Sequence, residues 1–355
     1  MDSLAISIAG TDCISFQPSS LPNQDRYLVQ DWQLPSGSWS FRAVLDGHAG
    51  PETVNFACHH LPLIVRNNLE ASLTHPLPDI PSVLRRSITS FDNLIATDLL
   101  NLFPNPLSLN RFSDNELRFI INDRGRNSAA IYRCMSGSTV LLSLLDPARK
   151  HLWVASLGDS QAVLGYRAAN GTLQSMLLSS FHNGQNPSEA NRIREEHPGE
   201  GECILDGRIL GAIAVTRAVG DFIFKLPRDY ADRVFKNTEP GFNLSTRPEE
   251  FLKRNLTPPY LSNDADVVHV DLESLKASEL HIIMCSDGLL DLYEDKGFDL
   301  HEIVAIWSDI VVSGKQRDAE QNLALLLLRE SIGVQDLEKI LAVEMDDTTI
   351  LVQRL

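Results

Sequence analysis

Four aspartates stand at the ends of short apolar runs, and in three of these four places a glycine is adjacent. They are Asp46 after Ala43–Leu45, Asp159 after Val154–Leu157 and Gly158, Asp287 after Ile282–Cys285, and Asp346 ahead of Thr348–Val352. One Asp-Gly pair alone is ordinary turn chemistry. Because strand ends of one sheet lie near each other, the four together predict a cluster of carboxylates, which Asp25 and Asp291 would join.

Converging carboxylates repel one another. Without a counter-charge some of them would stay protonated, at a cost of about 1.4 kcal/mol for each pKa unit. The donors are all oxygen, without cysteine or histidine, which favours a hard ion, Mg²⁺ or Mn²⁺, over Zn²⁺. Two such ions sharing a carboxylate would activate a water molecule and bind the oxygens of a transferring phosphoryl group.

Other catalytic motifs are poorly supported. Cys203 to Arg208 is one residue short of the Cys-x5-Arg loop of a cysteine phosphatase, and neither G-x-x-x-x-G-K-[ST] nor H-E-x-x-H occurs. Cys58-His59-His60 is either a metal cluster or a helix surface. Three consecutive side chains cannot face one ion on a helix, so we favour the helix surface.

Composition and charge limit the class of protein. The 355 residues include 31 Lys+Arg and 47 Asp+Glu, a formal net charge of −16, which argues against a sequence-independent nucleic-acid binder. Hydrophobic residues make up 43% of the chain, enough for a large buried core. The five cysteines are odd in number and lack C-x-x-C spacing, which favours a reducing compartment over a disulfide framework.

Membrane-spanning and targeting patterns are not evident in the sequence. No stretch approaches 18 uninterrupted apolar residues, and the opening residues, MDSLAISIAGTDC, resemble neither a signal peptide nor a transit peptide. We therefore expect no membrane partner and an intracellular location, cytoplasmic or nuclear, or mitochondrial if a presequence has been removed.

The spacing of apolar residues separates strands from helices. The predicted strands are Leu4–Ile8, Arg26–Val29, Trp39–Leu45, Thr139–Leu145, His151–Leu157, Leu280–Cys285 and Thr348–Val352, and the predicted helices are Glu52–Leu69, Ile80–Leu102, Glu189–Glu196, His301–Val312 and Ala319–Ile332. Residues 103–133 are expected as an irregular insertion and 226–263 as a loop-rich one. Because strands and helices do not alternate regularly, a doubly wound parallel sheet is not favoured.

In order, over almost the whole chain, these motifs resemble those of the metal-dependent serine/threonine protein phosphatases of type 2C. Singly they are weak signals, and in sequence order they are a strong one. They are Asn23–Arg26, Asp46–Gly50, Gly137–Thr139, Gly158–Ser160, Gly207–Arg208 with Thr216–Asp221, Ser286–Asp291 and Asp346–Thr349. Ala49, the segment Thr257–Leu261 and the Asp346-Asp347 pair resemble the pyruvate dehydrogenase phosphatase-like branch.

The resemblance implies an α+β fold, a four-layer αββα sandwich of two antiparallel β-sheets flanked by helices. It implies a single catalytic domain over residues 1–355, with the insertions near 103–133 and 226–263. The implied activity is hydrolysis of phosphoserine and phosphothreonine by a metal-activated water at a binuclear Mg/Mn centre. We expect phosphoprotein substrates, a monomer and no nucleic-acid partner.

Seven positions would bind metal ions if the family's roles carry over. The two core ions would be held by Asp25, Asp46, the Gly47 carbonyl, Asp287 and Asp346, and a third ion by Asp159, Asp287 and Asp291. Asp46 would bridge the core ions. His48 would be the general acid toward the leaving seryl or threonyl oxygen, which suits an imidazole with a pKa of about 6.5. His48 and Asp46 are therefore the expected catalytic residues.

Three positions depart from the family pattern. Gln24 stands in place of a Glu that holds metal-bound water, Ser20 in place of a phosphate-binding Arg, and Gln161 in place of an Arg after Gly-Asp-Ser. Substrate phosphate would rely on the metals or on another cation, with Arg26 and Arg42 as candidates. Two alternatives stay open: a catalytically weak pseudophosphatase that acts as a binding scaffold, and a metal-dependent hydrolase of small phosphate esters.

Three further residues of a matched block have two interpretations. Arg208, Arg217 and Asp221 either serve the site or form a buried ion pair or helix cap, and the structural role is favoured. The apolar and aromatic content of 226–263 indicates either substrate binding or a lid folded onto the sandwich.

Overall fold

Two antiparallel β-sheets face each other in the structure, a computed structural model that describes residues 5–19, 21–122, 126–242, 247–317, 321–333 and 345–355. The strands are β1 (Ile6–Ile8), β2 (Thr11–Phe16), β3 (Arg26–Leu34), β4 (Gly37–Leu45), β5 (Gly47–His48), β6 (Gly137–Ser138), β7 (Val140–Leu145), β8 (His151–Leu157), β9 (Gln161–Arg167), β10 (Leu173–Leu177), β11 (Ile204–Leu205), β12 (Arg208–Ile209), β13 (Val219–Gly220), β14 (Asp266–Asp271), β15 (Ser278–Cys285) and β16 (Thr348–Arg354). One sheet has the order β1-β2-β16-β15-β9-β10 and the other β14-β8-β7-β4-β3, with β13-β6-β5 and β11-β12 as small additional sheets.

Helices cover the outer face of each large sheet. They are α1 (Glu52–Ser72), α2 (Ile80–Leu102), α3 (Pro106–Leu109), α4 (Asp114–Asn122), α5 (Ser128–Met135), α6 (Pro187–Glu196), α7 (Arg228–Arg233), α8 (Pro248–Phe251), α9 (Gly288–Asp291), α10 (Leu300–Arg317) and α11 (Leu323–Ile332). Helices α1 and α2 pack on the five-stranded sheet, and α10 and α11 pack on the six-stranded sheet.

Side-chain alternation along the strands builds three apolar layers. On β4, Val44 belongs to the core between the two sheets, whereas Ala43 and Leu45 face the layer beneath α1 and α2. On β15, Met284 points between the sheets and Ile283 points toward α10 and α11. A strand covered on both faces is apolar at every position, which explains the continuous runs in the sequence. The expected αββα sandwich is confirmed.

The segment 103–133 differs from the expectation of an irregular insertion. Among its described residues it forms α3, α4 and most of α5. Asn105 begins α3 by accepting a hydrogen bond from the Ser108 amide at 3.0 Å, and the helices bury a sparse apolar set that includes Leu117 and Ile121. Its Asn, Pro and Arg residues include a helix cap at Asn105, a first-turn proline at Pro106 and an exposed helix position at Arg118, so composition alone predicts a loop where helices form.

The segment 226–263 carries only short helices among its described residues and folds back onto the sandwich. Most of its aromatic side chains are buried: Phe251 stacks on Phe224 at 5.2 Å between ring centroids, and the Tyr230 hydroxyl donates to the Phe103 carbonyl at 2.6 Å. The predicted helix from Ala319 begins at Leu323, where Asn322 accepts a capping bond from the Leu325 amide, and residues 318–320 lie outside the described residues.

Candidate metal centre

The carboxylates predicted from the sequence meet at one end of the two sheets. Strands β4, β8 and β15 all end there, and β3 and β16 begin there, as their pairing shows. One aspartate follows or precedes each of these strand ends. Asp291 lies one helical turn beyond Asp287, in α9. The aspartates delivered in this way are Asp25, Asp46, Asp159, Asp287, Asp291 and Asp346.

Two overlapping sets of carboxylate oxygens have spacing suited to metal ions. Oxygens of Asp46, Asp159 and Asp287 lie within 4.8 Å of one another, and so do oxygens of Asp287, Asp291 and Asp346. Asp287 belongs to both sets, so its carboxylate lies at the centre of the cluster. All the donors are oxygens, which is the ligand chemistry of Mg²⁺ and Mn²⁺.

Two buried carboxylates of the cluster have an oxygen without a partner in the described part of the chain. Asp25 is 2% exposed and its Oδ2 accepts a bond from the Ser286 hydroxyl at 2.6 Å, but its Oδ1 has none. Asp159 is 3% exposed, and its Oδ1 is likewise unsatisfied. Buried polar atoms are normally hydrogen-bonded, so these unsatisfied oxygens fit a bound cation.

Burial, with repulsion from neighbouring carboxylates, raises the pKa values of Asp25, Asp46, Asp287 and Asp291. Burial raises the pKa of Asp25 to about 7, although the Ser286 hydroxyl favours its charged form. Burial, with Glu294 and Asp346 nearby, raises the pKa of Asp291 to about 6. The pKa values of Asp46 and Asp287 also lie well above the usual range. A divalent cation would relieve this repulsion, so the residues present fit a metal centre.

Thr139 fixes the two turns that carry Asp46 and Asp159. Its amide donates to the Asp46 carbonyl at 2.9 Å, and the Asp46 amide donates to its hydroxyl at 3.2 Å. The same hydroxyl contacts the Ser160 hydroxyl at 2.9 Å. Gly158 has a φ of +111° and its Cα packs against Thr139, leaving no room for a Cβ. The two short motifs around Thr139 and Asp159 therefore act as one unit.

His48 lies beside the carboxylates on β5 and is paired with Asp221. Its Nε2 is 2.6 Å from Oδ2 of Asp221, which is fully buried and has a φ of +52°. Burial disfavours the charged imidazole, but the Asp221 carboxylate outweighs this and raises the pKa of His48. A Cβ at Gly137 would collide with both side chains, so the pair needs glycine there. The sequence left the role of Asp221 open, and the structure shows that it holds His48.

Arg217 has the structural role that we favoured for it. Its guanidinium makes two hydrogen bonds to Glu189 on α6, at 2.6 and 3.1 Å. Arg208, also interpreted as structural, is exposed and donates to the Ala212 carbonyl at 3.3 Å.

Both candidates for a phosphate-binding cation use their guanidinium groups in hydrogen bonds to the protein. Arg42 lies on β4, four residues before Asp46. It is buried, and its guanidinium bonds to Thr11, Asp31 and backbone carbonyls. Arg26 bonds to Asn55 and to the carbonyls of Asn23 and Asp25. Ser20 lies outside the described residues.

The two glutamines that depart from the family pattern serve local hydrogen bonds. The Gln24 side chain accepts from the Gly50 amide at 2.9 Å. Gln161 is buried, donates to the Asp159 carbonyl at 2.6 Å and accepts from Ser179 at 3.1 Å. Both therefore stabilise loops of the cluster without adding charge.

Three residues to which the sequence analysis gave no role in the site also support the cluster. Asn183 donates to Oδ2 of Asp159 at 2.8 Å, and its neighbour His182 accepts from the Gly158 amide at 3.2 Å. Asp347 accepts from the Gln24 amide and the Gln17 side chain, both at 2.6 Å, and so fixes the segment before Asp25. The doubled Asp346-Asp347 was a usable signal for Asp347, whereas nothing in the spacing marked Asn183.

The four-layer sandwich and the carboxylate cluster at one end of its sheets agree with the resemblance of the sequence motifs. The chain belongs to the protein phosphatase 2C family, whose model, described as Protein phosphatase 2C, matches residues 15–304.

Two curated relatives show which branches the chain resembles. It is 30% identical over 304 residues to a protein phosphatase 2C homolog of Schizosaccharomyces pombe, covering 83% of this chain and 62% of that protein. It is 28% identical over 313 residues to the mitochondrial [pyruvate dehydrogenase [acetyl-transferring]]-phosphatase 1 of Saccharomyces cerevisiae, covering 82% of this chain and 50% of that protein. The chain therefore spans less than two thirds of the length of either relative. The predicted resemblance to the family is confirmed.

Solved structures support the fold. The chain matches a crystal structure of serine-threonine phosphatase 2C from Toxoplasma gondii with a TM-score of 0.55 and 17% identity, covering 98% of this chain and 96% of the other. A C. elegans sex determining protein matches with a TM-score of 0.59 and 18% identity, covering 96% of this chain and 64% of the other.

Proposed function

We propose that this chain hydrolyses phosphoserine and phosphothreonine in proteins at a binuclear Mg²⁺ or Mn²⁺ centre. The observation that carries the proposal is the convergence of oxygen-only carboxylate sets that share Asp287. The exposure of the cluster supports it too: Asp25 and Asp159 are buried, whereas Asp291 and Asp346 are exposed. A centre that is open on one side admits a side chain of a folded protein.

The proposed ligands are the positions that the sequence suggested, although the oxygen sets of the structure join Asp159 to Asp46 and Asp287, and Asp291 to Asp287 and Asp346. Asp25, Asp46, the Gly47 carbonyl, Asp287 and Asp346 would hold the two core ions, and Asp159 with Asp287 and Asp291 would hold a third. Bound ions would supply an activated water and neutralise the charge of the phosphoryl oxygens. The buried side of the cluster is held in place by three contacts: Ser286 and Asn183 donate to the carboxylates of Asp25 and Asp159, and Thr139 accepts from the backbone amide of Asp46.

His48 is the proposed general acid for the leaving seryl or threonyl oxygen. In this assignment Asp221 accepts the Nε2–H bond of His48 and favours the protonated imidazole, the form that a general acid needs. Asp221 orients the ring and does not itself reach the substrate in this assignment.

We infer that the chain acts as a single catalytic domain and as a monomer on phosphoprotein substrates, without nucleic acid. We infer an intracellular location, cytoplasmic or nuclear, or mitochondrial if a presequence is removed. The five free cysteines support a reducing compartment, and the named mitochondrial relative supports the last alternative. No helix among the described residues is both long and apolar enough to cross a membrane.

A weak pseudophosphatase is the second candidate, and the arginines favour it. The guanidinium groups of Arg26 and Arg42 already bond to protein acceptors. Neither therefore compensates for the phosphate-binding Arg whose position Ser20 occupies. A weaker hold on phosphate without loss of the metal carboxylates would raise KM more than it lowers kcat.

The proposal is tested by hydrolysis of phosphothreonine peptides with Mn²⁺ and with EDTA. Phosphopeptide turnover that needs Mn²⁺, with kcat/KM well above that for sugar phosphates, supports a protein phosphatase. A preference for sugar phosphates would identify a small-ester hydrolase, and Mn²⁺ binding without turnover would identify the scaffold.

A further inference from the structure

Two histidines of adjacent strands meet on the outer face of the five-stranded sheet. His151 begins β8, and His269 lies opposite Trp153 in the β14–β8 pairing. Directly opposed residues of an antiparallel pair share a face, and so do residues two apart on one strand. His151, Trp153, His269 and Asp271 therefore lie on one face, at the edge of the sheet.

The ring nitrogens of the pair have the spacing of two ligands to one ion. Nδ1 of His151 is 3.2 Å from Nε2 of His269. Metal–nitrogen bonds of 2.0–2.1 Å at angles between 90° and tetrahedral place two such nitrogens about 2.9 to 3.4 Å apart. The contact is now a hydrogen bond, in which one ring donates its proton and the other accepts it. A cation that replaced that shared proton would lie off the N···N line, so each ring would turn to point its lone pair at the ion.

Aromatic packing holds the rings in place and keeps them accessible. His269 stacks on Trp153 with 4.9 Å between centroids and an interplanar angle of 15°, and His151 lies 5.8 Å from the same indole. His269 is exposed and His151 is half-buried. Little rotamer entropy is then lost when an ion binds, and the ion can enter directly from solvent.

The surroundings of His269 favour its binding of a cation. Partial burial and the neighbouring His151 lower the pKa of His269, so its ring is neutral, which is the ligating form. Asp271 faces His151, and its Oδ1 accepts from the Glu273 and Ser274 amides. Among the described residues no third histidine, cysteine or carboxylate reaches both nitrogens, so water would complete the coordination.

We propose that His151 and His269 form a surface site for a borderline transition ion, Cu²⁺, Ni²⁺ or Zn²⁺. Imidazole nitrogen prefers these ions, in the order that places Cu²⁺ first, whereas the acidic cluster prefers hard ions. The two sites lie at opposite ends of β8, about 20 Å apart along the strand. The pair therefore binds independently of the proposed phosphatase centre, whether or not that centre is active.

Tryptophan fluorescence tests the site, because bound Cu²⁺ or Ni²⁺ quenches a neighbouring indole. The whole chain is titrated with Cu²⁺ in saturating Mg²⁺, and Trp153 should lose emission as a single site fills. His151→Gln and His269→Gln should each weaken that binding about tenfold or more, and His75→Gln, which removes an exposed histidine elsewhere, should not change it.

Calorimetry with Zn²⁺ gives the stoichiometry independently of fluorescence. One Zn²⁺ site lost in the double variant His151→Gln/His269→Gln, with an unchanged thermal unfolding midpoint without metal, supports the proposal. Equal Cu²⁺ and Zn²⁺ affinities in the wild type and the double variant would overturn it and leave the pair a simple hydrogen bond. These variants leave ion uptake by the acidic cluster unchanged. Only the difference in metal binding between the wild type and the variants is therefore attributed to the histidine pair.

Discussion

Asp287 has a position unlike that of the other aspartates, because it belongs to both oxygen sets. Burial disfavours its ionisation most, and the charges of Asp159, Asp291 and Asp346 disfavour it further, so its pKa lies well above the ordinary value. Without a cation its charge destabilises the folded chain, and with cations it would link them.

Replacing Asp287 by Asn should separate these two effects. We expect kcat for a phosphopeptide to fall about 10²- to 10³-fold, since ligand loss removes several kcal/mol of charge stabilisation. In EDTA the same variant should unfold at the same or a higher temperature than the wild type, because a repulsive charge is gone. Asp309→Asn, an exposed aspartate on α10, is the matched control. A variant that loses stability in EDTA without losing turnover would contradict the assignment.

Gly137 tests the contact between His48 and Asp221. A Cβ at this position would collide with both side chains, so Gly137→Ala should displace the imidazole while leaving the metal carboxylates in place. We expect turnover to fall about tenfold or more, with unfolding free energy lower by about 1–3 kcal/mol.

Gly201→Ala is the matched control, because its Cβ would meet nothing within 4 Å. Asp221→Asn removes the charge with less steric change and should also slow turnover while Mn²⁺ binding persists. Full turnover in both Gly137→Ala and Asp221→Asn would remove His48 from the mechanism.

Helix α6 is joined to the loop before β13 by charged contacts at Glu189. Burial opposes its ionisation, but hydrogen bonds from Arg217, Arg192 and Thr216 outweigh this and lower the pKa of Glu189 to about 2. A depressed carboxyl pKa stabilises the fold above the unfolded-state pKa of about 4.3, and this contribution is lost as the pH falls toward 2.

Glu189→Gln should therefore lower stability at neutral pH and flatten its decline between about pH 4 and 2. Urea unfolding at several pH values measures both effects. Glu330→Gln, an exposed residue of α11, should leave the profile unchanged. If the unfolding free energy of Glu189→Gln declined with falling pH as steeply as that of the wild type, other carboxyl groups would account for the loss of stability in acid.

At the scale of elements, apolar periodicity predicted seven of the eleven strands of the two large sheets and the long helices α1 and α2, but it missed β2, β9, β10 and β14. It also missed α4, which buries only Leu117 and Ile121, too few to outweigh a polar composition. The small strands β5, β6 and β13 have two residues each, and such pairings depend on the folded chain rather than on a local pattern.

Across the whole molecule, five of the six aspartates were predictable because each lies within two residues of a strand end, and Asp291 because it follows Asp287 by four residues. Their supports were not, since the bond from Asn183 to Asp159 and that from Gln17 to Asp347 join parts of the chain that no local spacing relates. The net charge of −16 is also partly accounted for. Three divalent ions would bring it to about −10, and the remaining excess favours solubility.

Mn²⁺ uptake and phosphopeptide hydrolysis, measured on the same samples of the whole chain, test the central claim most directly. We predict that turnover rises in step with the filling of at least two Mn²⁺ sites and stops in EDTA. Asp46→Asn should lose a site and about 10²-fold or more in kcat, whereas Asp309→Asn keeps both. Hydrolysis that persists in EDTA and in Asp46→Asn would contradict the account.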